Sequence, residues 1–168
     1  MIKILARLVG PFFHRLFPDI PKDHPATGSI IMNFSANILG LDNAATPIGL
    51  KAMNEMQSLN KQKDTASNSQ IMFLVLNTSG LSIIPLTILV DRSVLGATNP
   101  TDVFLPILLA TFCSTIVGLI TVSIYQKINI FDKVIIAYLG GLTAFIGILV
   151  YYLTTLNQDD LNTFSTFA

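Results

Sequence analysis

Two groups of uncharged hydrogen-bonding side chains interrupt apolar stretches of this sequence, and these residues are the ones best able to do chemistry. One group lies between residues 33 and 47, and the other between residues 77 and 80. Amide and hydroxyl groups can hold a polar solute without the desolvation cost of a full charge. We therefore predict a solute-binding role for Asn33, Asn37, Asp42, Asn43, Thr46, Asn77, Thr78 and Ser79.

The same residues have a purely structural interpretation. Backbone groups released from a helix need hydrogen-bond partners, and neighbouring amides and hydroxyls can supply them without any ligand. Asp42 is the only acid in either group, and an ionisable residue inside a membrane is by default a functional one. Asp42 could equally lie in water at the tip of a shallow loop. The sequence leaves both interpretations open.

No recognised catalytic or cofactor-binding pattern occurs in the sequence. It contains no nucleophile elbow, P-loop, G-x-G-x-x-G, H-E-x-x-H or C-x-x-C signature. An intramembrane aspartyl protease would need a second carboxylate beside Asp42. Four titratable residues near the N-terminus show no metal-ligand spacing motif, namely His14, Asp19, Asp23 and His24. We expect no enzyme activity, no metal site and no cofactor.

The composition indicates a protein of the lipid bilayer. Only 12% of the 168 residues are charged, whereas soluble domains average about 25%. Residues 65–90, 103–126 and 134–158 carry no charge, and each run exceeds the roughly 20 residues that cross a bilayer as a helix. Core helices of a soluble bundle would carry a charged outer stripe. Basic and acidic residues balance at ten each and form no basic face, so we expect no nucleic-acid partner.

The first 60 residues are predicted to form an interfacial helix and a re-entrant helical hairpin. In residues 1–25, apolar and basic residues alternate at helical spacing, which is typical of a helix at the membrane surface, and an extended proline-rich connector ends the segment. Residues 26–60 begin with a half-helix, 30–39, that is too short to cross the bilayer. Gly40, the Asp42-Asn43 pair and Pro47 interrupt it, and Pro47 suits the first turn of a second helix.

The distribution of Lys and Arg favours the re-entrant arrangement. If residues 26–60 enter and leave on one face, Arg92 alone lies on the side opposite to every other Lys and Arg. If they cross the bilayer instead, the basic residues divide equally and no bias remains. Because membrane proteins concentrate basic residues on one side, the hairpin is the better interpretation.

Three transmembrane helices are predicted after the hairpin. The first, residues 70–90, is broken at 77–80, and the second begins near Pro100. The third, residues 134–156, precedes an acidic tail and has small residues four apart that permit close helix contact: Ala137, Gly140, Gly141 and Ala144. The predicted fold class is therefore an all-α polytopic membrane protein. Paired helix breaks point to a transporter's binding site, so we expect the two breaks to face each other around a wet pocket.

Several ordered runs of residues resemble the spore maturation protein A family. They are FPDIP at 17–21, DHP at 23–25, ANILGLDNAATP at 36–47, LKAM at 50–53 and NTS at 77–79. The resemblance covers residues 5–128. It implies a nucleoside-recognition or Gate domain, similar to segments of concentrative nucleoside transporters and ferrous-iron permeases, in a multi-pass protein of the bacterial inner membrane. In spore formers, the family and its spore maturation protein B partner are linked to dehydration of the spore core.

The resemblance also divides the chain. It implies a Gate-like domain over residues 1–128, and residues 129–168 form an additional transmembrane helix with an acidic tail. Family members usually carry further helices before residue 1, which indicates either a fragment or a shortened reading frame, and the sequence leaves the two open. The last helix and its acidic tail resemble the linker of a longer protein in which the A and B portions are fused. The resulting hypothesis is half of a transporter or permease for a small polar solute, completed by a B-type partner or a second copy. The alternative is a membrane scaffold that does not transport.

Overall fold

The structure, a computed structural model, describes residues 10–21 and 23–155. Every regular element within these residues is helical and none is a strand, which confirms the all-α prediction. The chain divides after residue 130 into two compact units. The first unit contains α1 at residues 10–16, α2 (Pro25–Ile38), α3 (Asp42–Leu59), α4 (Asn68–Ser79), α5 (Leu86–Val94), a 3-10 turn (Pro100–Val103) and α6 (Phe104–Tyr125); the second contains α7 (Lys133–Thr155).

The described part of the N-terminal segment buries its apolar side chains in protein. Phe13, Leu16 and Phe17 are each at most 3% exposed, and the rings of Phe13 and Phe34 of α2 meet edge to face at 5.3 Å. The apolar face that the sequence assigned to lipid therefore packs against α2 in this region. Residues 1–9, which complete the predicted interfacial helix, lie outside the described residues.

The connector between α1 and α2 is a series of turns, so the prediction of an extended connector was wrong. The Ile20 N–H donates to the Phe17 carbonyl at 3.2 Å, and the His24 N–H donates to the Pro21 carbonyl at 3.0 Å. His24 then caps α2, because its Nδ1 accepts the Ala26 N–H at 3.2 Å. This cap and a proline at the first helical position start α2 well before the predicted half-helix at residue 30.

The helical hairpin closes through a short glycine turn. Gly40 adopts a positive φ of 61°, its N–H donates to the Asn37 carbonyl, and the Leu41 N–H reaches back to Ala36, as in a Schellman motif. The break spans only residues 39–41, and Pro47 lies inside α3. The prediction that Pro47 opens the second helix was therefore wrong. The proline removes only the N–H that would bond Asn43, an exposed residue in the first turn of α3.

The break after α4 also lies later than the sequence indicated. Asn77 and Ser79 remain helical, and their side chains donate to carbonyls of their own helix, Phe73 at 2.8 Å and Leu76 at 3.0 Å. Gly80 then ends α4 in the left-handed conformation, and Pro85 precedes α5. Residues 80–85 are therefore the non-helical segment.

Within residues 10–21 and 23–155, two helical stretches are long and apolar enough to cross a membrane, Pro100–Tyr125 and Lys133–Tyr152. The predicted first span is divided in the structure between α4, with 12 residues, and α5, with 9. Neither piece alone reaches the roughly 20 residues that a bilayer requires. The three-span topology and the re-entrant hairpin therefore stay predictions.

Candidate functional site

The two helix breaks lie directly against each other. The backbone N–H groups of Ile83 and Ile84 both donate to the carbonyl of Ile38, at 2.9 and 3.2 Å. The Thr87 hydroxyl donates to the carbonyl of Gly40. A Cβ atom on Gly40 would lie 2.6 Å from the Ile84 carbonyl oxygen. The turn after α2 and the segment after α4 thus meet backbone to backbone, at a place where only glycine fits.

A continuous chain of asparagine amides runs beside this junction. Asn33 Nδ2 donates to the Ala45 carbonyl of α3 at 2.8 Å. Asn37 Nδ2 donates both to Asn33 Oδ1 at 3.3 Å and to Asn77 Oδ1 at 2.8 Å. Asn77 Nδ2 completes the chain by donating to the Phe73 carbonyl at 2.8 Å. The three amides connect α2, α3 and α4 without using any charge.

The amide chain forms the polar floor of an open groove between these three helices. The groove has a volume of about 280 Å³. Its described lining contains no charged side chain; it combines the amides and Thr46 with apolar walls of Ala45, Gly49, Leu50, Met53, Phe73 and Leu74. A groove with apolar walls and a few convergent polar groups is the usual character of a small-molecule site.

The absence of a side chain at Gly49 leaves room for the Asn33 amide beside α3. A Cβ atom at position 49 would lie 2.9 Å from Asn33 Nδ2, too close for an undisturbed amide. Sequence reasoning missed this residue. The available signal was a glycine inside a helix, where it costs roughly 1 kcal/mol relative to alanine and therefore calls for a packing reason.

Only half of the predicted site residues line this groove. Asn33, Asn37, Thr46 and Asn77 do so. Asn43 and Thr78 are exposed elsewhere, and Ser79 lies near Gly118 of α6, its Cβ 3.7 Å from a Cβ built on that glycine. Asp42 is the first residue of α3, and its side chain lies outside the described part of the structure. A ligand-binding role for the eight residues stays a prediction.

No metal-binding cluster replaces the groove as a candidate site. Among residues 10–21 and 23–155, no group of three or more His, Cys, Asp or Glu side chains could hold an ion. On α3, Lys51 and Glu55 form a salt bridge with a long contact of 3.9 Å, and neither residue lines the groove.

Comparison with known proteins places this groove within a recognised domain. Residues 1–90, more than half of the chain, match the family model described as Gate, nucleoside recognition. The chain belongs to the Gate nucleoside-recognition family. The match includes every residue that lines the groove, so the groove lies within the region that matches the family model.

The similarity extends beyond the Gate region to a curated relative. The chain is 47% identical over 120 residues to spore maturation protein A of Bacillus subtilis (strain 168). The alignment covers 71% of this chain and 61% of the relative, so the chain matches about three fifths of that protein's length. No solved structure matches the chain. The predicted resemblance is confirmed, and the homology together with two apolar helices indicates a membrane protein.

Proposed function

We propose that this Gate protein is half of a bacterial inner-membrane transporter or permease for a small polar solute, and not an enzyme. The observation that carries the proposal is the amide chain Asn33–Asn37–Asn77 on the floor of an open groove where two broken helices meet. Broken helices that converge on uncharged polar groups are typical of transporter binding sites. The polar solute would exchange hydrogen bonds with the amides, while the apolar walls would contact its remaining surface.

The open side of the groove supports a role for a second protein or a second copy. Three helices, α2, α3 and α4, supply the lining in the described residues, and Leu50 and Leu74 at its walls are 64% and 49% exposed. A partner that covered these walls would enclose the solute. Since the relative is named spore maturation protein A, we propose a spore maturation protein B-type chain as that partner.

Flux measurements test the proposal. The chain is reconstituted in liposomes with a B-type partner, and uptake is measured for a panel of uncharged polar solutes. Asn37→Leu removes the central amide and is expected to abolish uptake while the two proteins still copurify. Asn54→Leu is the matched control, because Asn54 is exposed on α3 and does not line the groove. Equal uptake by the two variants would refute the groove as the transport site.

A scaffold without transport is the second candidate, and α7 supplies the observation in its favour. A Cβ atom added at Gly140, Gly141 or Gly147 meets nothing within 4 Å, so this helix can accept a closely packed neighbour. If Gly141→Leu abolishes copurification with the partner, and the unaltered pair shows no flux for any solute of the panel, the scaffold is the better description.

A further inference from the structure

A histidine caps the first turn of α2. The Ala26 N–H donates to His24 Nδ1 at 3.2 Å, at a position where Ser, Thr, Asp or Asn is the usual capping residue. An N–H group can donate only to a ring nitrogen that carries no proton, so the proton of the neutral ring lies on Nε2. The cap therefore exists only while the imidazole is neutral.

The backbone donor that His24 caps has no access to water. Ala26 is 0% exposed, whereas the N–H groups of an exposed helix end can bond water when a cap is lost. Protonation of Nδ1 would leave this buried donor without an acceptor, which destabilises the folded state. It would also place a positive charge at the positive end of the helix dipole. Both effects have the same sign.

The capped turn also joins the N-terminal segment to the hairpin. The His24 N–H donates to the Pro21 carbonyl of the connector at 3.0 Å, and the His24 carbonyl accepts the Thr27 N–H at 3.1 Å. Side chains of α1, the connector and the first turns of α2 line one small cavity: Phe13, His14, Phe17, Ile20, Thr27 and Ile30. Fraying of the first turn of α2 would therefore loosen the contact between α1 and α2.

We propose that His24 is a pH-sensitive switch: protonation of its imidazole releases the first turn of α2 and loosens the N-terminal segment from the hairpin. Histidine changes its charge between about pH 5 and 8, so the switch operates in that range. With the cap intact, the folded chain excludes a proton that the unfolded chain binds. The free energy of unfolding should therefore fall as the pH falls through this range.

Neighbouring charged groups do not hold the His24 ring in place of the cap. They are His14 and Arg15 of α1, Asp19 and Asp23 of the connector, and Lys51 and Glu55 of α3; Lys22 lies outside the described residues, and α4 carries no charged side chain. Among the described residues, none of them forms an ion pair or a hydrogen bond with the His24 ring. Asp19 and Asp23 are both exposed, so solvent weakens the support that they give to a charged imidazole.

Thermal unfolding of the full chain in an uncharged detergent tests the switch between about pH 7.5 and 5.5, at constant ionic strength. The Tm of the unaltered chain should fall by about 2–4 °C across this range, the shift expected for loss of one cap in a chain of this size. His24→Asn can place an amide oxygen where Nδ1 lies, and this acceptor does not titrate, so its Tm should stay constant. His24→Ala should have the lowered Tm at every pH.

His14→Asn is the matched control, because the chain contains only two histidines. The His14 side chain makes no hydrogen bond with the described residues, so this variant should keep the pH response of the unaltered chain. Hydrogen exchange of residues 24–30, corrected for the intrinsic effect of pH on exchange, locates the change. Lower pH should speed their exchange in the unaltered chain and in His14→Asn, but not in His24→Asn.

Two results would overturn the proposal. One is a Tm of the unaltered chain that does not fall with pH in this range. The other is an equal fall in His24→Asn, which would assign the response to another group. His24→Asp replaces His24→Asn if the latter does not fold, because aspartate also caps helices and titrates only near pH 4. A pH response confined to the chains that retain His24 supports the switch.

Discussion

At the scale of single residues, the site depends on Asn33 being held in one position. Its amide donates to the Ala45 carbonyl of α3 and its Oδ1 accepts from Asn37. The side chain is 2% exposed, so it has no water to replace a lost partner. Because an amide buried this deeply is costly to leave unpaired, the hydrogen bonds fix its orientation as well as its location.

Gly49→Ala is expected to displace this amide. The added Cβ would lie 2.9 Å from Asn33 Nδ2, and loss of the hydrogen bond to Ala45 should lower the free energy of unfolding by about 1–3 kcal/mol. The helix propensity of alanine opposes this loss by up to about 1 kcal/mol. Thermal unfolding in detergent gives the difference in stability.

The control for this substitution is Gly28→Ala. Gly28 lies in α2, and a Cβ atom there meets nothing within 4 Å. The Gly28→Ala substitution should therefore keep or raise the free energy of unfolding, through helix propensity alone. If both variants behave alike, the contact between Gly49 and Asn33 does not organise the groove.

At the scale of helices, the important contact is the one between the two breaks. The backbone of Gly40 lies against residues 84–86, so each break supports the other. Gly40→Ala should separate them: it places a side chain at a φ of 61° and a Cβ 2.6 Å from the Ile84 carbonyl oxygen. We expect a loss of stability of about 2–5 kcal/mol, since strain of this φ costs about 1–2 kcal/mol and overpacking of a close contact about 1–3 kcal/mol.

Gly96→Ala measures the cost of the backbone strain in the absence of a clash. Gly96 has a φ of 75°, yet a Cβ atom there meets nothing within 4 Å. Its substitution should cost only the strain, about 1–2 kcal/mol. Equal losses in the two alanine variants, measured by chemical unfolding in the same detergent, would show that the breaks do not depend on their mutual contact.

The helices also show what the sequence can and cannot reveal. Gly40 and Gly80 each mark the start of a break, because glycine readily adopts the left-handed conformation that ends a helix. The second break begins later than the first polar residue, because α4 continues through Asn77 to Ser79 and ends at Gly80. Four of the eight predicted site residues share one groove. Asn43, Thr78 and Ser79 lie elsewhere, because each step of one residue along a helix rotates the side chain by about 100°.

At the scale of the whole molecule, the path of the hairpin decides how the first unit lies in the bilayer. Residues 10–21 pack beside the hairpin, and two helical stretches, Pro100–Tyr125 and Lys133–Tyr152, have the length and hydropathy of spans. A re-entrant hairpin puts the segments before and after it on one face of the membrane. A single span, with α2 and α3 placed end to end, would put them on opposite faces.

Three exposed residues can report on this difference. Asp19 lies before the hairpin, Lys61 lies after it, and Ser93 lies beyond the second break. Single cysteines at these positions, in a Cys113→Ser background, are labelled with an impermeant maleimide in vesicles of known orientation. Concentration of Lys and Arg on one side predicts that Asp19→Cys and Lys61→Cys react from the cytoplasmic face and Ser93→Cys from the other. Labelling of Asp19→Cys together with Ser93→Cys, and apart from Lys61→Cys, would contradict the hairpin, because α2 and α3 would then have to form one span end to end. The groove depends on the packing of α2 against α3, so it would be lost in that arrangement.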